Sequence, residues 1–594
     1  MKINLTENES KIFDILSNVC EFIKEKKKER PTLRIAGGWV RDKLLGLESN
    51  DIDVAVDNMM GYDFALLVRE YMLNNNLEVS HMARVAANPE KNKNMETATG
   101  KVLGQSIDFV NLRGDTPTVI DSTEPNGYSI NYGTPTVDAS RRDITINALF
   151  YNIQTKEVED FTKMGLHDLK EKIIRTPLPP YETFNDDPLR TLRVVRFASH
   201  FGYTIEKNVL EAIKNEEIQN MLSTRTSRSR IGEELNKMLN GNNPLKACEY
   251  LYDLNLYKIV FARPPENAVV TIRSALSKAQ VKEIQDQIQK KSKDKKKDMS
   301  SKSDDQKSKE VKLNADSIVS PTEEKIKHLT TTVENILSTE DTKSDINILT
   351  GLKAVRALHK IIENDMYASL IPKSYYPLNK KYTRFLYLAS LLLPYKKITF
   401  LERRREAIKS APATVYIIRD ALTFSREDID TISKLHAILP ETQNIIKQSN
   451  GNEKKDREFY GHHLLNAAAA PIKEKWPLSL ILSFVDEICN LKKDIDNEEE
   501  MVKIHKKYVS FYEAIKKYNL EDIHHFQPII NGKVACKLLD LKAGPIIGEI
   551  LKAVISWQLR NPEGTREECE IWLKEDMKDQ FSKLPQAKKL KITK

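Results

Sequence analysis

Ile12, Phe13, Ile15, Leu16, Val19, Phe22 and Ile23 recur at a spacing that predicts an amphipathic helix over residues 8–28. The period then shortens. Residues 33–36 read as a short buried strand, and residues 51–56 alternate as a second, so that Asp51 and Asp53 project from one face while Ile52 points into a core. Helical spacing returns at Phe64, Leu67, Val68 and Tyr71, within residues 62–74. Strands are expected again at 79–86 and 106–113, separated by a polar, loop-like run at 87–100. Residues 114–137, rich in Gly, Pro, Thr and Asn, read as a long loop.

Beyond this point the alternation fades. The segment RTPLPPYETFNDDP at 175–188 carries four prolines and marks a domain boundary. Helical patterns follow, interrupted at 290–312 by ten Lys, five acidic residues and five Ser without an aromatic. Such a segment cannot bury enough apolar surface to order itself. The expected architecture is α+β: a head at 1–178 with a mixed sheet and helices, then an all-helical remainder. That remainder divides into a neck at 179–289, a disordered insertion at 290–325, and a body and tail at 326–594.

Composition narrows the setting more than the chemistry. The 594 residues are 40% hydrophobic, as in a globular chain, and 93 basic against 85 acidic residues leave a charge of +8, compatible with a polyanionic partner without establishing one. Cys20, Cys248, Cys489, Cys536 and Cys569 are scattered without C-x-x-C spacing, which argues against a zinc module and for a reducing compartment. The pairs His462-His463 and His524-His525 lack companion ligands and read as surface or packing histidines. The apolar run at 385–394 is too short to span a bilayer and reads as a core helix, so no membrane partner is expected. Residues 1–30 place acidic residues before a basic cluster, the reverse of a secretory signal. Cytosol or nucleus is the default, and mitochondrial import from an alternative start stays open.

Candidate chemistry begins at Gly37-Gly38, which break the first strand where backbone can approach a ligand closely and where the following helix aims free N–H groups at a phosphate. Asp51 and Asp53 repel each other unless a cation lies between them, and oxygen-only ligands suit Mg²⁺ shared with substrate phosphates. Asp108, on the strand at 106–113, is the placed candidate for a third carboxylate beside this pair; the plainer reading is an Asp capping or lining the sheet edge. Arg141 and Arg142 are adjacent guanidinium groups that can clamp triphosphate oxygens. Asp187, placed to cap a helix that starts with Pro188, neighbours Arg190 on that helix, whereas Arg193 and Arg196 spiral away. An Arg donor beside an Asp acceptor matches cytosine and adenine, which present a ring acceptor next to an amino donor, and opposes uracil and guanine. The plainer alternative is an N-cap with a solvated ion pair.

In combination these motifs are specific. G-G-x-V-R-D at 37–42 followed by D-x-D at 51–53 resembles the signature of the nucleotidyltransferase superfamily, in the branch holding tRNA CCA-adding enzymes and bacterial-type poly(A) polymerases. RRDITINA at 141–148 resembles that family's R-R-D-x-T-x-N-A block, and DDPLRTLRVVRFA resembles its E-D-x-x-R motif, with Asp186 in place of the usual Glu. RTSRSRIGEELNKML at 225–239 is similar to the following neck motif, and WQLRNPEGT at 557–565 to the tail of fungal-type CCA-adding enzymes.

The resemblance implies a CTP/ATP:tRNA nucleotidyltransferase that completes CCA at the tRNA 3′ end without a nucleic-acid template, using Mg²⁺ and releasing pyrophosphate. It implies Asp51 and Asp53 as metal ligands, Asp108 as the assisting carboxylate, and Gly37, Gly38, Arg41, Asp42, Arg142 and Asp143 around the nucleotide. Asp187 and Arg190 would select the base, and Arg193 and Arg196 would serve the nucleotide or RNA end. The expected partners are tRNA, CTP and ATP, and a monomer is expected. A tail-adding poly(A) polymerase with the same head, or a tRNA-binding protein with a decayed head, are the alternatives; use of CTP and loss of incorporation in an Asp51/Asp53 variant discriminate them.

Overall fold

Thr6 and Glu9 set the start of the first helix. The Thr6 hydroxyl accepts the Glu9 backbone N–H while the Glu9 carboxylate accepts that of Thr6, a reciprocal cap that opens α1 (Glu7–Lys27). The computed structural model describes residues 3–85, 97–112, 114, 133–263, 270–272, 347–370, 377–404, 407–451, 455–467, 469, 472–491, 498–541 and 544–582. The insertion expected at 290–325 and most of the loop expected at 114–137 lie outside them. The chain divides into two units, 1–260 and 261–594.

In the first unit, β1 (Leu33–Ala36), α2 (Gly38–Leu44), β2 (Ile52–Val56) and α3 (Gly61–Asn74) follow α1. β3 (Ala83–Val85), β4 (Thr97–Val102) and β5 (Gln105–Asn111) come next, then α4 (Pro135–Ser140), β6 (Phe150–Asn152) and β7 (Glu157–Glu159). The seven strands form one sheet in the order β3-β4-β5-β2-β1-β6-β7, antiparallel except for the parallel pair β2 and β5. Ile107 and Phe109 bury one face, where Phe64 of α3 meets Phe109 with ring centroids 5.6 Å apart. Because side chains alternate along a strand, Asp53 and Asp108 stand on the opposite face. Gly61 admits no side chain: a Cβ there would lie 2.2 Å from the Phe109 carbonyl oxygen, so α3 starts in contact with the β5 backbone.

The helix predicted at 8–28 and the strands at 33–36, 51–56 and 106–113 are present with small shifts of their ends. Two expectations change. The strand expected at 79–86 is confined to Ala83–Val85, and part of the run expected to be a loop is β4. The inner face of β4 is built from Ala98, Gly100 and Val102, too small to register as an apolar stripe; Met82 fills the space where a Gly100 side chain would go. Leu103 and Gly104, both at positive φ (49° and 79°), join β4 to β5 as a two-residue hairpin turn whose twist matches the strands.

The unit continues through α5 (Gly165–Glu171), β8 (Ile173–Ile174), α6 (Pro180–Asp186), α7 (Arg190–Phe201) and β9 (Thr204–Ile205). It then runs through α8 (Lys207–Lys214), α9 (Glu216–Arg225), α10 (Arg228–Leu239), α11 (Pro244–Asp253) and α12 (Tyr257–Val260). β8 pairs in parallel with β9 across the proline-rich segment, so the helices expected as a neck share a unit with the sheet. Asp187 closes α6 rather than capping α7 directly: its carboxylate accepts the Leu189 N–H at 3.2 Å, and a tight turn intervenes before Arg190.

The second unit is largely helical. Its longer helices are Leu349–Glu363, Lys380–Leu391, Arg426–Ser449, Pro477–Cys489, Glu498–Lys517 and Ile546–Arg560. Of the apolar run expected as a core helix at 385–394, residues 385–393 are buried, but the helix ends at Leu391 and a short 3-10 turn, Leu393–Tyr395, follows. Helical pattern alone did not reveal the three-stranded sheet of β10 (Val270–Ile272), β11 (Ile398–Arg404) and β12 (Ala407–Pro412). Partly buried ion pairs link Arg384 to Asp428 and Lys396 to Asp486, and the His436 imidazole Nε2 meets the Ala389 carbonyl at 2.8 Å. A separate apolar cluster holds the tail together through Ile530, Leu539, Ile550, Trp557, Cys569 and Leu573. Among the described residues no helix is long and apolar enough to cross a membrane.

Candidate nucleotidyl-transfer site

The parallel register of β2 and β5 sets Asp53 beside Asp108. Thr99 of β4 is opposite Asp108 in turn, and its hydroxyl donates to Asp108 Oδ1 at 2.7 Å. On the other side, β1 pairs with β2 as Leu33 with Val56, Arg34 with Ala55 and Ile35 with Val54. One step further, the same register brings Ala36 level with Asp53, and the chain leaves β1 into Gly37-Gly38 at the height of the carboxylates. Asp51 is exposed just before β2; Asp53 and Asp108 are half-buried.

Gly37 has φ +77°, and a Cβ on it would lie 2.8 Å from Arg142 Nη1, so both the turn and the guanidinium beside it demand glycine. The helix that follows, α2, is seven residues long. Asn147 organises what surrounds the turn. Its side-chain oxygen accepts Arg41 Nη1, its amide donates to Asp143 Oδ1 at 3.1 Å, and its backbone oxygen accepts Arg142 Nη1 at 3.2 Å. Arg41 also chelates Asp42, through Nε at 2.9 Å and Nη2 at 3.0 Å, and Arg142 pairs with Asp138 at 2.8 Å. Arg141 turns elsewhere, to the Gly114 carbonyl at 2.6 Å, so the two adjacent arginines do not form one clamp.

Asp143 faces inward. Its Oδ1 accepts the Ile144 N–H at 2.9 Å, and Arg193 meets its Oδ2 through Nε at 2.8 Å and Nη2 at 2.7 Å. Burial pushes this carboxyl up, but the charge of Arg193, hydrogen bonds from Asn147 and Arg193, and the charge of Arg190 outweigh it, holding the group well below the usual carboxylate range. Arg193 continues to Glu234 at 3.7 Å, and Glu234 binds Arg196 at 2.6 Å. Arg193 and Arg196, expected at the nucleotide or RNA end, are therefore occupied in an internal chain of charges joining the R-R-D block, α7 and α10.

Asp187 and Arg190 are not paired with each other. The Asp187 carboxylate is gripped by Arg230 Nη1 at 3.2 Å and Nη2 at 2.7 Å. Arg190 is buried; it donates to the carbonyls of Thr183 (3.3 Å) and Arg141 (2.7 Å) and pairs with Asp186 at 3.0 Å. Helical adjacency predicted the wrong partners, because α6 ends at Asp186 and the extended break at Asp187 gives that residue to Arg230 of α10 while Asp186 pairs with Arg190. Arg141, Leu178, Glu182, Thr183, Asp186 and Arg190 line a cavity of about 280 Å³. Sequence reasoning missed Thr99, Arg230 and Glu234 as parts of the site, and took Asn147 only as a motif match; none shows a pattern apart from its partner in space.

A family model described as "Poly A polymerase head domain" matches residues 33–175, and one described as "Probable RNA and SrmB- binding site of polymerase A" matches 202–268. The chain is 31% identical to the Saccharomyces cerevisiae protein named "CCA tRNA nucleotidyltransferase, mitochondrial", covering 96% of this chain and 94% of that one. The chain belongs to the CCA tRNA nucleotidyltransferase family. Two solved structures share the fold. One, a CCA-adding enzyme in complex with CTP, has a TM-score of 0.51 at 18% identity and covers 95% of this chain and 94% of its own. The other, the Thermotoga maritima CCA-adding enzyme complexed with tRNA, has a TM-score of 0.51 at 17% identity and covers 95% of both chains.

Family members typically use a divalent metal ion. The donor set here is compatible: Asp51 and Asp53 offer oxygen only. Among the described residues no three His, Cys, Asp or Glu side chains converge on one point. An all-protein cage is thus absent there, and the donors suit a hard cation that takes its remaining ligands from phosphate.

Proposed function

We propose that this chain adds or repairs the 3′-terminal CCA of tRNA from CTP and ATP without a nucleic-acid template, with Asp51 and Asp53 holding Mg²⁺. The observation that carries the mechanism is the register that sets Asp53 beside Asp108 and level with the strand end before the glycine turn. Bound there, the ion would neutralise triphosphate charge and polarise the α-phosphate.

The chain's own groups account for the rest. Gly37 and Gly38 let the triphosphate approach the backbone, with Arg41 and Arg142 anchored beside it by Asn147. Asp108 takes the proton of the tRNA 3′-hydroxyl as its oxygen attacks the α-phosphorus; the bond to the β-phosphate breaks and pyrophosphate leaves. Asp143, Arg193 and Arg196 act from inside, fixing α7 against the R-R-D block. Asp187 and Arg190 choose the base: the Asp187 carboxylate, held in plane by Arg230, accepts the amino donor, and Arg190, giving up Asp186, meets the ring acceptor of cytosine or adenine.

The helical second unit reads tRNA by shape, since duplex RNA shows side chains little sequence. The tRNA-bound and CTP-bound structural neighbours support these partners. We assign the protein to the cytoplasm and nucleus, with a mitochondrial pool supported by the name of the yeast relative, and we take it to act as a monomer.

The test supplies purified protein with each labelled NTP separately and a tRNA lacking its terminus. Incorporation of C then A, abolished in an Asp51→Ala/Asp53→Ala double variant, is the expected result. Long A tracts, or no use of CTP, would overturn the CCA assignment, and wild-type incorporation by the double variant would overturn the catalytic one.

A further inference from the structure

Two features of β4 bear on Asp108. The Leu103-Gly104 turn fixes the hairpin register so that Thr99 stands directly across from Asp108. Gly100, the next residue, accepts Met82 against its α-carbon, which seats β4 with the half-buried Thr99 on the carboxylate face. The Thr99 hydroxyl then donates to Asp108 Oδ1 at 2.7 Å. Within the described residues, Asp108 Oδ2 makes no hydrogen bond.

The torsion that turns an aspartate carboxyl plane is soft and nearly two-fold, so an untethered Asp108 would sweep both oxygens across the face of the sheet. Threonine is stiff at χ1 because it is β-branched, and its hydroxyl therefore comes from a fixed direction. One oxygen is engaged from the β4 side, and Asp53 stands in register with Asp108 on the other side, on β2.

We propose that Thr99 is a positioning residue for nucleotidyl transfer: by holding Asp108 Oδ1 it presents Oδ2 to the attacking 3′-hydroxyl. The proposal rests on the reading of Asp108 as the assisting carboxylate. Thr99 touches neither nucleotide nor RNA, and acts through Asp108 alone.

Thr99→Val keeps the β-branch and the volume while removing the donor, and Thr99→Ser keeps the donor. Single-turnover incorporation of ATP into tRNA ending in CC, with enzyme in excess, gives the rate and the KM separately. Thr99→Val is expected to slow the rate about tenfold with KM for ATP within about twofold of wild type, and Thr99→Ser to restore it. In an Asp108→Asn background, Thr99→Val is expected to add nothing. A wild-type rate for Thr99→Val alongside a crippled Asp108→Asn would overturn the role of Thr99 and leave Asp108 in place. An equal loss in both backgrounds would overturn it too, since the effect would not pass through Asp108. A wild-type rate for Asp108→Asn would instead remove the reading on which the proposal rests.

Discussion

Arg230 holds the Asp187 carboxylate with both terminal nitrogens, at 3.2 and 2.7 Å, across 43 residues of sequence. A two-point grip of this kind fixes the plane of the carboxyl as well as its place, which a lysine cannot do. Arg230→Gln is therefore expected to loosen base choice, with incorporation of UTP or GTP relative to CTP rising about tenfold, while Arg230→Lys falls between. Separate labelled NTPs and a tRNA lacking its terminus measure the ratio. Unchanged selectivity in Arg230→Gln would detach Asp187 from base selection.

Asp143 is the buried centre of a charge chain, so removing its charge leaves Arg193 short of its main partner. Asp143→Asn is expected to cost the first unit about 3–5 kcal/mol, read from denaturant unfolding. The sign with pH follows from the direction of its shift. The folded carboxyl lies below its ordinary 3.8, so it contributes stability above that value and loses it as pH falls toward the depressed folded value. The acid limb of the wild-type stability curve should be shallower in the variant.

His436 works in the opposite protonation state. Its Nε2 donates to the Ala389 carbonyl, and burial holds the ring at about 4 against an ordinary 6.5. The unfolded chain then binds the proton first, so stability of the second unit falls as pH drops from about 6.5 to about 4, by roughly 3 kcal/mol in all. His436→Gln, which keeps a donor for Ala389, should flatten that limb. Unfolding midpoints at pH 7 and pH 5 compare the two, and an unchanged slope would show that other groups carry it.

The elements legible in the sequence were those whose burial is periodic. α1, β2 and β5 present large apolar residues at fixed spacing, and their ends fell close to where the pattern stops. β4 was not legible, because a face of Ala98 and Gly100 packs by being small. At the site, Asp53 and Asp108 could be placed on strands, but their adjacency is a property of sheet order, with β5 inserted parallel beside β2. The partners of Asp187 and Arg190 were misassigned for a similar reason. Helical spacing counts neighbours along one axis, and the extended break at Asp187 hands that residue to a partner on another helix.

The Glu9 carboxylate, besides capping α1, accepts Trp39 Nε1 at 3.1 Å and Lys43 Nζ at 2.8 Å, so α1 is tied to the short helix that follows the glycine turn. An expression boundary drawn to keep the first strand, the glycine turn and every motif after it could begin at Ser10 and still strand an indole N–H and an ammonium group in the protein interior. Thr6 and Glu9 thus belong to the support of α2, and a form shortened past Glu9 is expected to loosen the helix that carries Arg41.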